Sequence, residues 1–356
     1  MKSRKRIVYR DILHHCYQRG VDGIVLFYSV SDHLVFFTTY CLLAKKYNVQ
    51  VLSLCQMPDH VHDSVVVKRA QQLSAFKREV NSTFSRAQNT FCHWEGAVFE
   101  SPFGSAPKQG AKKARTNLIY VGNNPVERRL VAKAEDYQWN YLAYAVSNHP
   151  FSEPLVIRNC SWPLQCAVKE VKAQHKLGKP MTYPLLKRLF APLDLAEKRQ
   201  LTDFIVSTYN VIDYAETIRY FDSFEDMLTA MHANTGSEFD LNEITVGRSD
   251  VYFSKFAAIL LRDGTFEDIH QVLSLPKEQR VELFMRLRQR TGAMTEQIAH
   301  YLRLHVSEES IDETRLVHHH QGGGGVVEVE GDDGFGGAVK GGFPPGVEHH
   351  AVQRPL

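Results

Sequence analysis

Nowhere in the 356 residues does an apolar run approach 18 positions, so no segment reads as a membrane-spanning helix. The opening "MKSRKRIVYRD" is basic but no apolar core follows it, so it does not read as a secretory signal. Six cysteines, at 16, 41, 55, 92, 160 and 166, form no C-x-x-C pair. That spacing argues against a zinc ribbon or a thioredoxin motif, and reduced thiols in a cytoplasm are the simplest reading. No repeat of fixed period is present. What is left is a soluble globular chain, long enough for two domains.

The charge is unevenly spread. Residues 1–150 hold 20 Lys and Arg against 11 Asp and Glu, a balance of +9, and the remainder holds 22 against 29, a balance of −7. A basic first half suits a polyanionic partner. Residues 306–356 carry 3 basic against 9 acidic residues and are rich in glycine. With no packing stripe, this stretch reads as a disordered tail, and its "HHH" reads as solvated rather than metal-binding.

Hydrophobic patterning predicts strands at "GIVLFYS" (23–29), "VQVLSLCQM" and "HVHDSVVV", and a fourth within "FCHWEGAVFESPFG". "SDHLVFFTTYCLLAKKYN" reads as a helix, and Leu73, Phe76, Val80 and Phe84 mark another by their 3–4 spacing. "ARTNLIYVGNN" is a further helix, expected to stop near Pro125. The order βαββαβα predicts an α+β fold with a ferredoxin-like four-stranded antiparallel sheet and helices on one face, over residues 1–150. Residues 151–305 read as a mainly helical C-terminal domain, with a possible helix-turn-helix at 288–304 between the stop at Gly292 and the cap at Thr295.

"QMPDHVHDSVVV" places His60 and His62 on one face of a strand, where two imidazoles can converge on one metal ion. A strand with one exposed and one hydrogen-bonded histidine would read the same way. In "RTNLIYVGNNPVERRLV", Tyr120 and Asn124 are four apart and share a helical face. Tyr120 also fits a core aromatic, and Asn124 before Pro125 also fits a helix N-cap with proline first. Trp94 stands beside Lys108, Lys112, Lys113 and Arg115, a mixture of ring and cation suited to single-stranded nucleic acid. Phe99 and Phe103 belong to the same stretch, with core packing as the alternative for Trp94 and Phe99.

Taken together, "MPDHVH", "YVGNNPVERRLV" and "DYQWNYLAY" closely resemble the HUH single-tyrosine transposases, in particular the REP-associated tyrosine transposase group. HUH denotes histidine, bulky hydrophobe, histidine. The resemblance covers roughly residues 8–147 and implies a catalytic domain over 1–150. It implies Tyr120 as nucleophile, His60, His62 and Asn124 as ligands of a divalent metal (Mg or Mn), and no small-molecule cofactor. The implied substrate is single-stranded DNA with hairpin ends, cut and rejoined through a 5′-phosphotyrosine. One tyrosine per chain implies a possible homodimer, and the implied location is cytoplasmic, with the nucleoid. Asp63 and Ser64 depart from the apolar strand usual after the motif. The rival readings are a domesticated DNA hairpin-binding protein that no longer cuts, and a metal-dependent amidohydrolase whose H-x-H pair would need a long barrel.

Overall fold

The computed structural model describes residues 7–233, 250–262 and 264–304. The tail at 306–356, with its "HHH", lies outside the described residues. Among the described residues are four strands, β1 (Leu13–Arg19), β2 (Gln50–Gln56), β3 (His60–Val66) and β4 (Gly104–Lys108). Their order in one sheet is β2-β3-β1-β4, with every neighbouring pair antiparallel. Between them run α1 (Val30–Lys46) and α2 (Ala70–Cys92), and α3 (Ala111–Glu127) follows β4. Eight more α-helices follow: α4 (Trp162–Lys176), α5 (Tyr183–Phe190), α6 (Leu195–Tyr209), α7 (Tyr214–Ile218), α8 (Phe224–Ala233), α9 (Val251–Leu261), α10 (Lys277–Arg290) and α11 (Thr295–Tyr301).

The expected order βαββαβα is present, but its first strand is not where apolar content pointed. Residues 23–29 are not a strand; they follow a 3-10 turn, Val21–Gly23, and lead to the N-cap of α1 at Ser29. Ile24 to Phe27 are all buried, so their apolar character reflects burial of an irregular segment, not sheet pairing. The real first strand, "LHHCYQR", carries polar residues on both faces: His15 and Tyr17 lie with Ser64 and His62, and Gln18 on the other face accepts from Asn81 of α2. The fourth strand lies at 104–108, later than expected, because α2 continues to Cys92 and ends on the left-handed His93 (φ 50). Phe99 keeps only a single bridge, to Gly20.

Helices do not occupy one face alone. Alternation along β3 sends Val61, Asp63 and Val65 to the side of α1 and α2, and His60, His62 and Ser64 to the other. On the first side Asp63 accepts from Tyr40 of α1 (2.8 Å) and is paired with Lys77 of α2. The apolar stripe of α2, Leu73, Phe76, Val80 and Phe84, is at most 1 % exposed on this side, and each side chain contributes about 1.5–3 kcal/mol of burial. On the second side α3 crosses the sheet, and Ser64 Oγ donates to its Asn117 (2.9 Å). The expectation of one helical face fails because α3 carries an apolar stripe of its own: Ala114, Leu118 and Val121 pack with Leu13, Leu52 and Cys55.

Packing does not break at residue 150. Tyr144 donates to Asp203 (2.7 Å), Thr217 to the carbonyl of Leu52 (2.7 Å), and His270 meets Asp32 at the start of α1 (2.8 Å). In the stretch read as a possible helix-turn-helix, α10 and α11 are joined by residues 291–294, and α11 buries Gln297, Ile298, Ala299 and Tyr301. No helix among the described residues is long and apolar enough to cross a membrane.

Candidate active site

β3, β1 and α3 bring the predicted residues together. The register sets Tyr17 opposite His62 and Arg19 opposite His60, with His15 one pair along. Asn124 lies inside the last turn of α3, not at a helix start, so it stays one turn from Tyr120 on the face toward the sheet. His60 Nε2 is 3.1 Å from Asn124 Oδ1. The His60 and His62 rings meet edge to face at 4.8 Å, and the Tyr120 ring stands edge-on to His62 at 5.3 Å and to His15 at 5.6 Å. A Cβ on Gly104 would fall 2.0 Å from the Tyr17 ring, so only glycine lets that ring lie across β4 at the edge of this face.

Each histidine of the pair is held at its Nδ1. His60 Nδ1 lies 2.5 Å from Asp59 Oδ1, and His62 Nδ1 lies 3.0 Å from His15 Nε2. Burial, then the neighbouring His60 and His15 and the Arg19 and Arg128 charges, push the His62 pKa well below its ordinary value. Burial, then the cations of Lys108 and Lys77, lower His15 to about 3. Near neutral pH both rings are uncharged and each keeps one lone pair.

A divalent ion fits this donor set. If His60 donates from Nδ1 to Asp59, its Nε2 presents a lone pair to the Asn124 oxygen, so two acceptors face each other. A shared cation, a proton on His60 or a half-turn of the Asn124 amide resolves that arrangement. His60 Nε2 and Asn124 Oδ1 stand 3.1 Å apart, close enough that both would hold one divalent ion. Among the described residues no three His, Cys, Asp or Glu side chains form a metal cluster, so the candidate set is two imidazoles and an amide.

The site is closed. His60, His62, Tyr120 and Asn124 are 2, 0, 4 and 2 % exposed. A phosphodiester reaches them only if a covering element moves. α3 is held from behind by Asn123, which donates to the Met231 carbonyl (2.7 Å), and a Cβ on Gly122 would fall 2.8 Å from the Met231 sulfur.

The expected DNA-binding residues are dispersed. Lys112 and Lys113 are exposed on the first turn of α3, and Lys108 is half-buried on β4. Arg115 is paired with Asp226 (3.1 Å) and lies over the Phe221 ring (4.8 Å). The Trp94 ring has the Arg280 and Arg303 guanidiniums 5.0 and 5.1 Å from its centre. Phe99 is core, and Phe103 is half-buried.

Sequence reasoning missed Asp59 and His15. Asp59 stands just before the His60–His62 pair in "MPDHVH", and no periodicity marks it. His15 was hidden because its strand has no apolar alternation; the signal available was a His-His pair just ahead of "YQRG".

No protein-family model matches the sequence, and no curated protein matches it. Among solved structures, the REP-associated tyrosine transposase bound to a REP hairpin is similar at 14 % identity and a TM-score of 0.36. The match covers 41 % of this chain and 86 % of that one. So distant a likeness carries no functional argument, and the functional reading rests on the side chains.

Proposed function

We propose that this chain is a metal-dependent transposase that cuts and rejoins single-stranded DNA, at hairpin-bearing ends, through a 5′-phosphotyrosine on Tyr120. One observation carries the reading: a tyrosine ring packed edge-on against His62, which lies against His60, with both histidines engaged at Nδ1 and an amide oxygen 3.1 Å from His60. The strand order and the helical crossovers support a ferredoxin-like sheet as the scaffold.

A tyrosine hydroxyl of ordinary pKa, about 10, is a weak nucleophile at neutral pH and needs an activated phosphate. Mg2+ or Mn2+ held by His60, His62 and Asn124 would supply that activation by drawing charge from a non-bridging phosphate oxygen. Tyr120 Oη attacks phosphorus, an O–P bond to tyrosine forms, and the bond to the 3′-oxygen breaks. In net terms the tyrosine proton passes to the departing 3′-oxygen. The phosphotyrosine keeps the phosphodiester energy, so another 3′-hydroxyl can reverse the step without ATP. Two chains acting together would supply two such tyrosines. Lys108, Lys112 and Lys113 would meet the phosphates.

The test is to incubate the protein with Mn2+ and a mixed library of single-stranded hairpins, then run a denaturing gel. A covalent adduct is expected, and it should be absent with chelator. The closed site favours one second reading, a hairpin-binding protein that no longer cuts. Binding without any adduct would support that reading.

A further inference from the structure

His62 can face a metal only through Nε2, because its Nδ1 is engaged. The partner is the Nε2 of His15, 3.0 Å away on the adjacent strand, with the two rings stacked at 5.1 Å. One hydrogen is shared between those two nitrogens, and its position decides what His62 can do. With the proton on His62 Nδ1, Nε2 keeps its lone pair and can ligate. With the proton on His15, His62 carries a hydrogen on Nε2 and cannot. We infer that His15 is a positioning residue, which accepts the Nδ1–H of His62 and so fixes the tautomer and the ring orientation that bind metal. This rests on the metal reading given above.

The geometry fits that role. His15 is fully buried on β1, and the strand register holds it beside the pair. Its Nε2 is engaged by His62, which sets it apart from His60 and Asn124 as a ligand. Asp59 performs the matching task for His60, so each histidine has its own anchor. The two anchors differ in kind: a carboxylate fixes its proton outright, whereas an imidazole can also donate. His62 is therefore the ligand whose competence depends on a neighbour's tautomer.

The experiment measures Mn2+ binding to the full chain without DNA, by titration calorimetry, for the wild type, His15→Leu and His15→Gln. Glutamine places an acceptor near the position of the lost Nε2; leucine fills the space without one. Affinity should fall 10–100-fold in His15→Leu, the usual cost of losing such a partner, and return to within a few-fold of wild type in His15→Gln. Because His15→Leu could disturb folding, the wild type is also examined under saturating Mg2+ by long-range nitrogen correlation spectra of labelled histidine. His62 should carry its proton on Nδ1. A His62 proton on Nε2, or wild-type Mn2+ affinity in His15→Leu, would overturn the role of His15 while leaving the metal site standing. A wild type that binds no Mn2+ would instead sink the metal reading itself.

Discussion

The two faces of β3 bury polar groups in opposite ways. Toward α1 and α2, Asp63 meets Lys77 and Tyr40, so charge answers charge and the carboxylate is satisfied. Toward α3, His62 and His15 are neutral, and His60 Nε2 faces the Asn124 amide oxygen at 3.1 Å. A matched pair has no further need of a ligand. A set of converging lone pairs does. Asp63, which looked like a defect in an apolar strand, belongs to the first kind, and the histidines one residue away belong to the second.

The largest expected effect breaks the chemistry of the second face without touching the first. Tyr120→Phe should remove the covalent adduct completely, while hairpin binding and the melting temperature stay close to wild type. Adduct that persists on the denaturing gel would move the nucleophile to another tyrosine, such as Tyr137 or Tyr141.

Next in size is the structural pair. Lys77→Met leaves the Asp63 carboxylate buried without its cation and should destabilise the protein by about 3–5 kcal/mol in denaturant unfolding. Mn2+ affinity should be unchanged once the protein is folded. Replacing both, Asp63→Leu with Lys77→Met, should recover most of the loss, since buried pairs are often replaceable by apolar side chains. Lost metal affinity in a folded double variant would show that the two faces are coupled and not independent.

How much of this was legible in the sequence follows the same contrast. The helices were readable because their stripes are apolar: Leu73 to Phe84 in α2, and most of the helical half. His60, His62, Tyr120 and Asn124 were readable because each sits at a spacing that a single strand or helix turns into a shared face. β1 was not, since neither strand periodicity nor apolar content marks "LHHCYQR". His15 and Asp59 act through another histidine, and such contacts depend on strand register, which local pattern does not encode. The placement of α3 on the second face was equally hidden, because a stripe shows that a helix packs, not on which side.

A smaller effect tests a third buried cluster, where the helical half meets α1. Burial alone would lower His270, but the Asp32 charge, with Asp268, raises it to about 10, and Asp32 itself is lowered to about 2. Tyr183 and the backbone of Tyr28 also bond Asp32. Between the unfolded value of 6.5 and about 10 the folded state holds the His270 proton and the unfolded state does not. That contribution is therefore complete below pH 6.5 and is lost as pH rises toward 10, by up to about 1.4 kcal/mol per pH unit. The Asp32 part is present above 3.8 and lost as pH falls toward 2. Unfolding curves of His270→Gln should lose the alkaline slope; an unchanged slope would assign it to other groups.

The smallest effect separates cations that are free to meet DNA from one already committed. Lys112 and Lys113 are exposed at the start of α3, whereas Arg115, one turn on, is tied to Asp226. A lysine that meets a phosphate releases counterions, so each Lys→Ala change there should weaken hairpin binding a few-fold and flatten the log-affinity against log-salt slope by about 1. Arg115→Ala should leave that slope alone and act on the packing of α3 against α8, seen as a small drop in melting temperature. The measurement is hairpin affinity across a salt series for the three variants. Equal slopes for all three would place the DNA path elsewhere, and a slope change confined to Arg115→Ala would mean that its ion pair with Asp226 opens when DNA binds.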